Sequence, residues 1–282
     1  MKNKYINVYA RIKEEQYDLA YGLLSEFSFT GIEERLDEIV ISFKAEDWNK
    51  DVQLAIQKAL EQADSESEIY KIEEIAEKNW NEEWEKNVPT IVVNENIGIA
   101  PEWKKDELET NIKLLINPKM SFGTGEHATT KLVCRLMENL VDKDSFWIDA
   151  GTGTGVLAIL AAKLGAREVF AFDNNEWSIE NAKENSEMNG VSDQVKISQE
   201  DIDEMELPES DGIAANLFKN LLIPSFPMFL KSLMKTRGHL LVSGIIKFDK
   251  DDVFNAALAA GFEMIEEIYE DDWVAYHFRP KE

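Results

Sequence analysis

Three glycines at alternate positions, Gly151, Gly153 and Gly155, follow the apolar run WIDA and precede the helix-like run VLAILAAKL. A glycine turn between strand and helix removes side chains where a ligand approaches backbone. The helix that follows points free amide N–H groups into the turn. Asp173 ends the next strand-like run, EVFAFD, 22 residues beyond Gly151. A carboxylate there accepts hydrogen bonds from both ribose hydroxyls, so Gly151, Gly153 and Asp173 are expected to bind an adenosine-containing molecule. The spacing is G-x-G-x-G, whereas the third glycine of a dinucleotide fingerprint would fall on Val156. No basic residue stands in the turn, as suits a ligand without pyrophosphate. Asp149, two residues before the first glycine, would suit a ligand ammonium or else cap backbone.

A second glycine-rich stretch, MSFGTGEHATTKL, lies upstream. Phe122, Gly123 and Gly125 form its turn, and Thr129 or Thr130 is expected to cap the helix that follows. The stretch is either a capped loop or a cover over the ligand. Asn216, in DGIAANLF, stands where a strand gives way to a helix, at the rim where such sheets bind ligands. Its amide can accept and donate, and it either caps the helix or receives an attacking nitrogen. His127 is expected to hold its loop rather than carry a proton. His239 and His277 are far apart and follow no metal spacing, and Cys134, the single cysteine, falls in an apolar helical pattern typical of core.

These residues need a frame. From residue 129 onward short apolar runs alternate with helical segments at 156–164, 176–189, 218–235 and 249–260. That alternation predicts a doubly wound parallel α/β sheet (Rossmann-like), and two strand runs around Asp271-Asp272 predict an antiparallel hairpin at its end. The first 75 residues read β-α-β-β-α-β, a small α+β ferredoxin-like domain, with Asp47 expected to cap its second helix. Residues 76–88, with Trp80 and Trp84 on one face, read as a linker helix, and residues 89–282 as the ligand-binding domain. No apolar run is long enough to span a bilayer, no signal-peptide stretch is read, and a single cysteine fits a reducing cytoplasm. The net charge of −25 disfavours nucleic acid and favours basic partners, or serves solubility.

The G-x-G-x-G turn, its acid and the terminal hairpin resemble class I S-adenosylmethionine-dependent methyltransferases. The stretches NWNEEWEKN, FGTGEHATT, IDAGTGTGVLAILAAKLGA, FDNNEWSIENAKENSEMNGV, AANL and LLVSGI stand in the order found in the ribosomal protein L11 methyltransferases, the PrmA family. The resemblance covers roughly residues 76–282, and FGTGEHATT is its most specific part. It implies donor-binding positions at Thr130, Gly151, Asp173 and Asn216, a donor loop at Phe122, Gly123 and Gly125, and S-adenosyl-L-methionine as cofactor. It implies an N-terminal domain that holds the ribosomal protein, and methylation of lysine ε-amines and the α-amine. The chain departs from the family at Glu126 and Ala128, at Thr152 and Thr154, and at Leu217-Phe218, which bears on the acceptor pocket. Other readings are a class I methyltransferase of a different translation protein or a small molecule, or a binding module without turnover.

Overall fold

The computed structural model describes residues 4–76, 88–119 and 121–282, and the chain divides into two compact units, residues 1–87 and 88–282. The expected helix with Trp80 and Trp84 lies outside the described residues.

In the first unit the elements run β1 (Lys4–Arg11), α1 (Tyr17–Leu24), β2 (Gly31–Arg35), β3 (Glu38–Lys44), α2 (Lys50–Ala63) and β4 (Glu68–Ala76). The sheet order is β2-β3-β1-β4 with every pair antiparallel, the ferredoxin-like arrangement. Alternate residues Val8, Ala10, Ile39, Ile41 and Phe43 are buried against Leu24, Ile56 and Leu60 of the two helices. The cap of α2 is Asn49 rather than Asp47: its side chain accepts from the N–H groups of Asp51 and Val52. Asp47 belongs to a short 3₁₀ turn, and extended Trp48 separates it from the helix.

The second unit opens with three short strands, β5 (Ile91–Val92), β6 (Ile97–Ala100) and β7 (Ile112–Leu115), in one small sheet. There follow α3 (Ala128–Met137), β8 (Phe146–Ala150), α4 (Val156–Leu164), β9 (Glu168–Asp173), α5 (Glu176–Met188), β10 (Val195–Gln199), β11 (Gly212–Asn216), α6 (Lys219–Leu233), β12 (His239–Ile246), α7 (Lys250–Ala260), β13 (Phe262–Glu270) and β14 (Trp273–Pro280). The large sheet runs β10-β9-β8-β11-β12-β14-β13. Strands β8 to β12 are parallel, and β14 enters antiparallel between β12 and β13. Its central strands are buried on both faces, which is why they read as continuous apolar runs. Trp147, Ala214 and Leu241 pack into the core layer that includes α3 and α4, while Ile148, Ile213, Leu240 and Val242 pack into the opposite layer with α6 and α7.

Helix α4 keeps its expected bounds because Gly155 and Gly165, both left-handed (φ +84° and +119°), stand at its two caps. The strand order reverses at β8, with β9 on one side and β11 on the other. This switch point opens a crevice beyond the carboxyl ends of the strands.

Candidate functional site

The two glycine-rich turns are bonded to each other. Thr154 is fully buried; its hydroxyl donates to the Gly123 carbonyl at 2.6 Å and its N–H to the Phe122 carbonyl at 2.9 Å. The turn is also tied to β9, since the N–H groups of Gly151 and Thr152 both donate to the Phe172 carbonyl. The glycines are required by this packing before any ligand arrives. A Cβ on Gly153 (φ +53°) would stand 2.3 Å from the Phe122 carbonyl oxygen, and one on Gly151 (φ +72°) 2.3 Å from the Leu217 side chain. A Cβ on Gly125 (φ +90°) would meet Ile99 of β6 at 2.4 Å.

Asparagines on one face of α5 hold the chain that leads into this loop. Asn189 accepts from the Leu115 N–H and donates to its carbonyl, a side-chain amide standing in for a ladder partner. One turn earlier, Asn185 accepts from the Asn117 N–H and donates to the Thr154 carbonyl at 2.8 Å. Asn185 is fully buried and so ties the segment leading into the upstream loop to the second turn through one side chain.

Between the turns and the ends of β9 and β11 lies a cavity of about 500 Å³, within the range that holds a small ligand. Phe122, Gly151, Gly153, Asp173 and Asn216 line it. Thr130, Asp149, Gly123 and Gly125 stand behind that lining. Asp173 accepts from the Gly153 N–H through Oδ2 and from the Asn175 N–H through Oδ1, which fixes the carboxylate at the cavity edge. Each oxygen keeps a lone pair for a further donor. Asn216 donates from Nδ2 to the buried Thr130 hydroxyl at 3.4 Å, while its Oδ1 is buried without a hydrogen-bond partner. Asn216 is not a helix cap; Phe218 occupies that position.

Asp149 is removed from the cavity to the turn's interior. Its Oδ2 accepts from the Thr152 hydroxyl at 2.6 Å and the Ala158 N–H at 3.0 Å, so it holds the turn against the first turn of α4. Burial pushes its pKa up to about 7, against the lowering effect of these two bonds, and the charge on Asp173 adds to the rise. The cap of α3 is His127, not Thr129 or Thr130, both of which lie inside the first turn because the helix starts at Ala128. Its Nδ1 accepts from the Thr129 N–H, and burial followed by the nearby Lys131 charge lowers its pKa, keeping the ring neutral for that role.

Other lining residues gave no local signal. Trp273, at the start of β14, reaches the cavity and meets the His127 ring edge-on at 4.5 Å; Phe122 packs against the same ring, tilted, at 5.4 Å. Glu270, one turn of the hairpin away, accepts from both Lys131 and Arg135 of α3 and clamps the hairpin tip there. Glu200, Asp201, Ile202 and Asp203, after β10, form a further wall; the rule that ligands bind beyond strand carboxyl ends could have flagged them. His239 and His277, distant in sequence, are hydrogen-bonded neighbours at 2.9 Å, outside this cavity. No group of three potential metal ligands occurs among the described residues.

The described lining carries four carboxylates, Asp173, Glu200, Asp201 and Asp203, and no lysine or arginine. That set suits a ligand bearing sulfonium and ammonium charges and a ribose, and gives no cationic partner to a pyrophosphate. The residues present therefore fit S-adenosylmethionine. Asp173, the acidic loop after β10 and the turn of Gly151 and Gly153 are the groups that would hold it.

The family model described as Ribosomal protein L11 methyltransferase (PrmA) matches residues 9–281. A relative named Ribosomal protein L11 methyltransferase from Chlorobaculum tepidum is 33% identical over 285 residues, covering 99% of this chain and 98% of the relative. One of the same name from Halalkalibacterium halodurans is 38% identical over 203 residues, covering 72% of this chain and 64% of the relative. Among solved structures, a ribosomal protein L11 methylase from Lactobacillus delbrueckii subsp. bulgaricus matches 68% of this chain and 99% of its own, at 27% identity and a TM-score of 0.63. With a match that spans both compact units and a cavity that fits the methyl donor, this chain belongs to the ribosomal protein L11 methyltransferase (PrmA) family.

Proposed function

We propose that the protein methylates ribosomal protein L11 with S-adenosylmethionine, acting on lysine ε-amines and on the N-terminal α-amine. The observation that carries the amine chemistry is Asn216: a buried carbonyl oxygen without a partner, on the cavity wall at the switch point. When bound, S-adenosylmethionine supplies an electrophilic methyl group on a sulfonium. The residues of this chain prepare the nucleophile. An amine attacks through its lone pair, so Asn216 Oδ1 accepts an amine N–H and turns that lone pair toward the donor. The Thr130 hydroxyl fixes the amide orientation by accepting from Nδ2. A lysine amine with a pKa of about 10.4 is neutral in roughly one molecule in a few thousand at neutral pH. Phe122, Leu217, Phe218 and Trp273 give the cavity apolar walls that disfavour the ammonium, against the four carboxylates of the same lining, which favour it. The displaced proton leaves to water; neutral His127 keeps its Nδ1 on the helix cap.

In this reading residues 1–75 hold the ribosomal protein, residues 76–88 link them to residues 89–282, and the charge of −25 attracts a basic substrate in the cytoplasm, with no direct binding to nucleic acid. Among the described residues no helix is long and apolar enough to cross a membrane. The test mixes purified protein, isotope-labelled S-adenosylmethionine and unmethylated ribosomal protein L11, with total ribosomal proteins alongside, and finds the label by mass spectrometry. Label is expected on amines of that one protein, lost with Asp173→Ala. Asn216→Ala is expected to lower turnover at least a hundredfold. Label on another protein overturns the substrate; full turnover of Asn216→Ala overturns the role of its carbonyl.

A further inference from the structure

Phe218 after β11 and Trp273 at the hairpin tip line the cavity, and a third loop, residues 246–249 after β12, is bonded to the segments that carry them. Strand register pairs Ile246 with Trp273, and the Lys247 N–H donates to the Asp272 carbonyl at 2.9 Å. Lys219 bridges to Asp249 at 2.5 Å, joining the segment of Phe218 to the third loop. Their side chains are unusual for a rim. Phe248 is 91% exposed and Phe218 70%, with Ile246 also partly bare between strand and loop. Large aromatic side chains left this open on adjoining loops mark a contact surface rather than packing.

The uncompensated charges of the same rim are mainly negative. Lys219 is neutralised by Asp249 and Asp252, Lys250 faces Glu267, and Lys247 lies over the Tyr269 ring. Asp251, Asp271 and Asp272 are exposed, and among the described residues their carboxylates have no ion partner. Bare aromatic rings beside unpaired carboxylates complement a chain segment bearing cations on long methylene stems.

We propose that this rim is the docking surface for the lysine-bearing segment of the protein substrate, with Phe248 as its anchor. It rests on the function proposed above and adds that the catalytic unit itself grips the chain flanking the target amine. Trp273 and Phe218 belong to both rim and cavity, so a segment laid across Phe248 delivers its amine inward past them.

The test uses Phe248→Ser, a change at an exposed position that leaves no cavity, and the double variant Asp271→Asn/Asp272→Asn. Binding of unmethylated ribosomal protein L11 is followed by fluorescence anisotropy, and methyl transfer separately. Phe248→Ser is expected to raise Kd and KM for the ribosomal protein about tenfold, the order for truncating one aromatic anchor, with donor affinity and kcat unchanged. The double variant is expected to flatten the salt dependence of KM. Unchanged Kd and KM in both variants overturn the proposal. So does a concentration-dependent dimer of the wild type that Phe248→Ser abolishes, which would make a second copy the occupant. A wild type that binds the ribosomal protein through Phe248 but transfers no methyl sinks the function and leaves the surface standing.

Discussion

Thr154→Val tests whether the two glycine turns act as one binding unit. The substitution keeps the volume and one methyl but deletes the hydroxyl that donates to the Gly123 carbonyl at 2.6 Å in a fully buried place. A buried hydrogen bond contributes about 1 kcal/mol net, and a carbonyl left unsatisfied costs about 1–3 kcal/mol. The bond from the Thr154 N–H to the Phe122 carbonyl remains and limits the damage. If the loop must stay on the turn for the donor to bind, a loss of about 2 kcal/mol weakens donor affinity roughly thirtyfold. Shared by the whole catalytic unit, the same loss would lower Tm by about 4–8 °C; confined to a loop that opens locally, it lowers Tm less. Isothermal titration calorimetry with S-adenosylmethionine reads the first quantity and thermal unfolding the second. Thr154→Ser supplies the decisive comparison. It keeps the hydroxyl and loses the methyl, so it should bind the donor like the wild type while being less stable. Donor affinity weakened as much by Ser as by Val refutes the reasoning, because packing rather than the bond would then hold the loop.

Gly153→Ala sets a Cβ 2.3 Å from the Phe122 carbonyl at φ +53°, and should weaken donor binding more than tenfold with the fold retained. Gly190→Ala, also at positive φ (+70°) but with open space around its Cβ, should lose only stability; equal donor affinities in the two variants would refute the steric argument. Asp149 binds a proton in the folded state up to about pH 7, whereas the unfolded chain releases it near 3.8. A raised carboxyl pKa means that its contribution to stability is lost as pH rises across that window, by an amount on the order of 4 kcal/mol. Asp149→Asn removes the titration at a pH-independent cost. Its stability relative to the wild type, measured by denaturant unfolding, should therefore improve steadily from about pH 4 to pH 7. Parallel profiles would show that Asp149 stays ionised.

The sequence by itself determined what is local. Alternating apolar runs and amphipathic segments specified the strands and helices, because burial on one face or both imposes the period. Gly155 and Gly165 bracketed α4 because their left-handed backbone disfavours any other residue. The hairpin around Asp271-Asp272 was legible from two adjoining strand runs. Caps were less legible: several polar residues stand before each helix, and backbone angles selected Asn49 over Asp47 and His127 over the threonines. Only the tertiary structure decided which distant groups meet. Thr154 and Gly123 are 31 positions apart, Asn216 and Thr130 86, and His239 and His277 38. Those contacts depend on strand order and crossover, which no residue period encodes. The same long-range packing turned Asp149 inward to hold the glycine turn, brought Trp273 to the cavity wall and left Phe248 bare beside it.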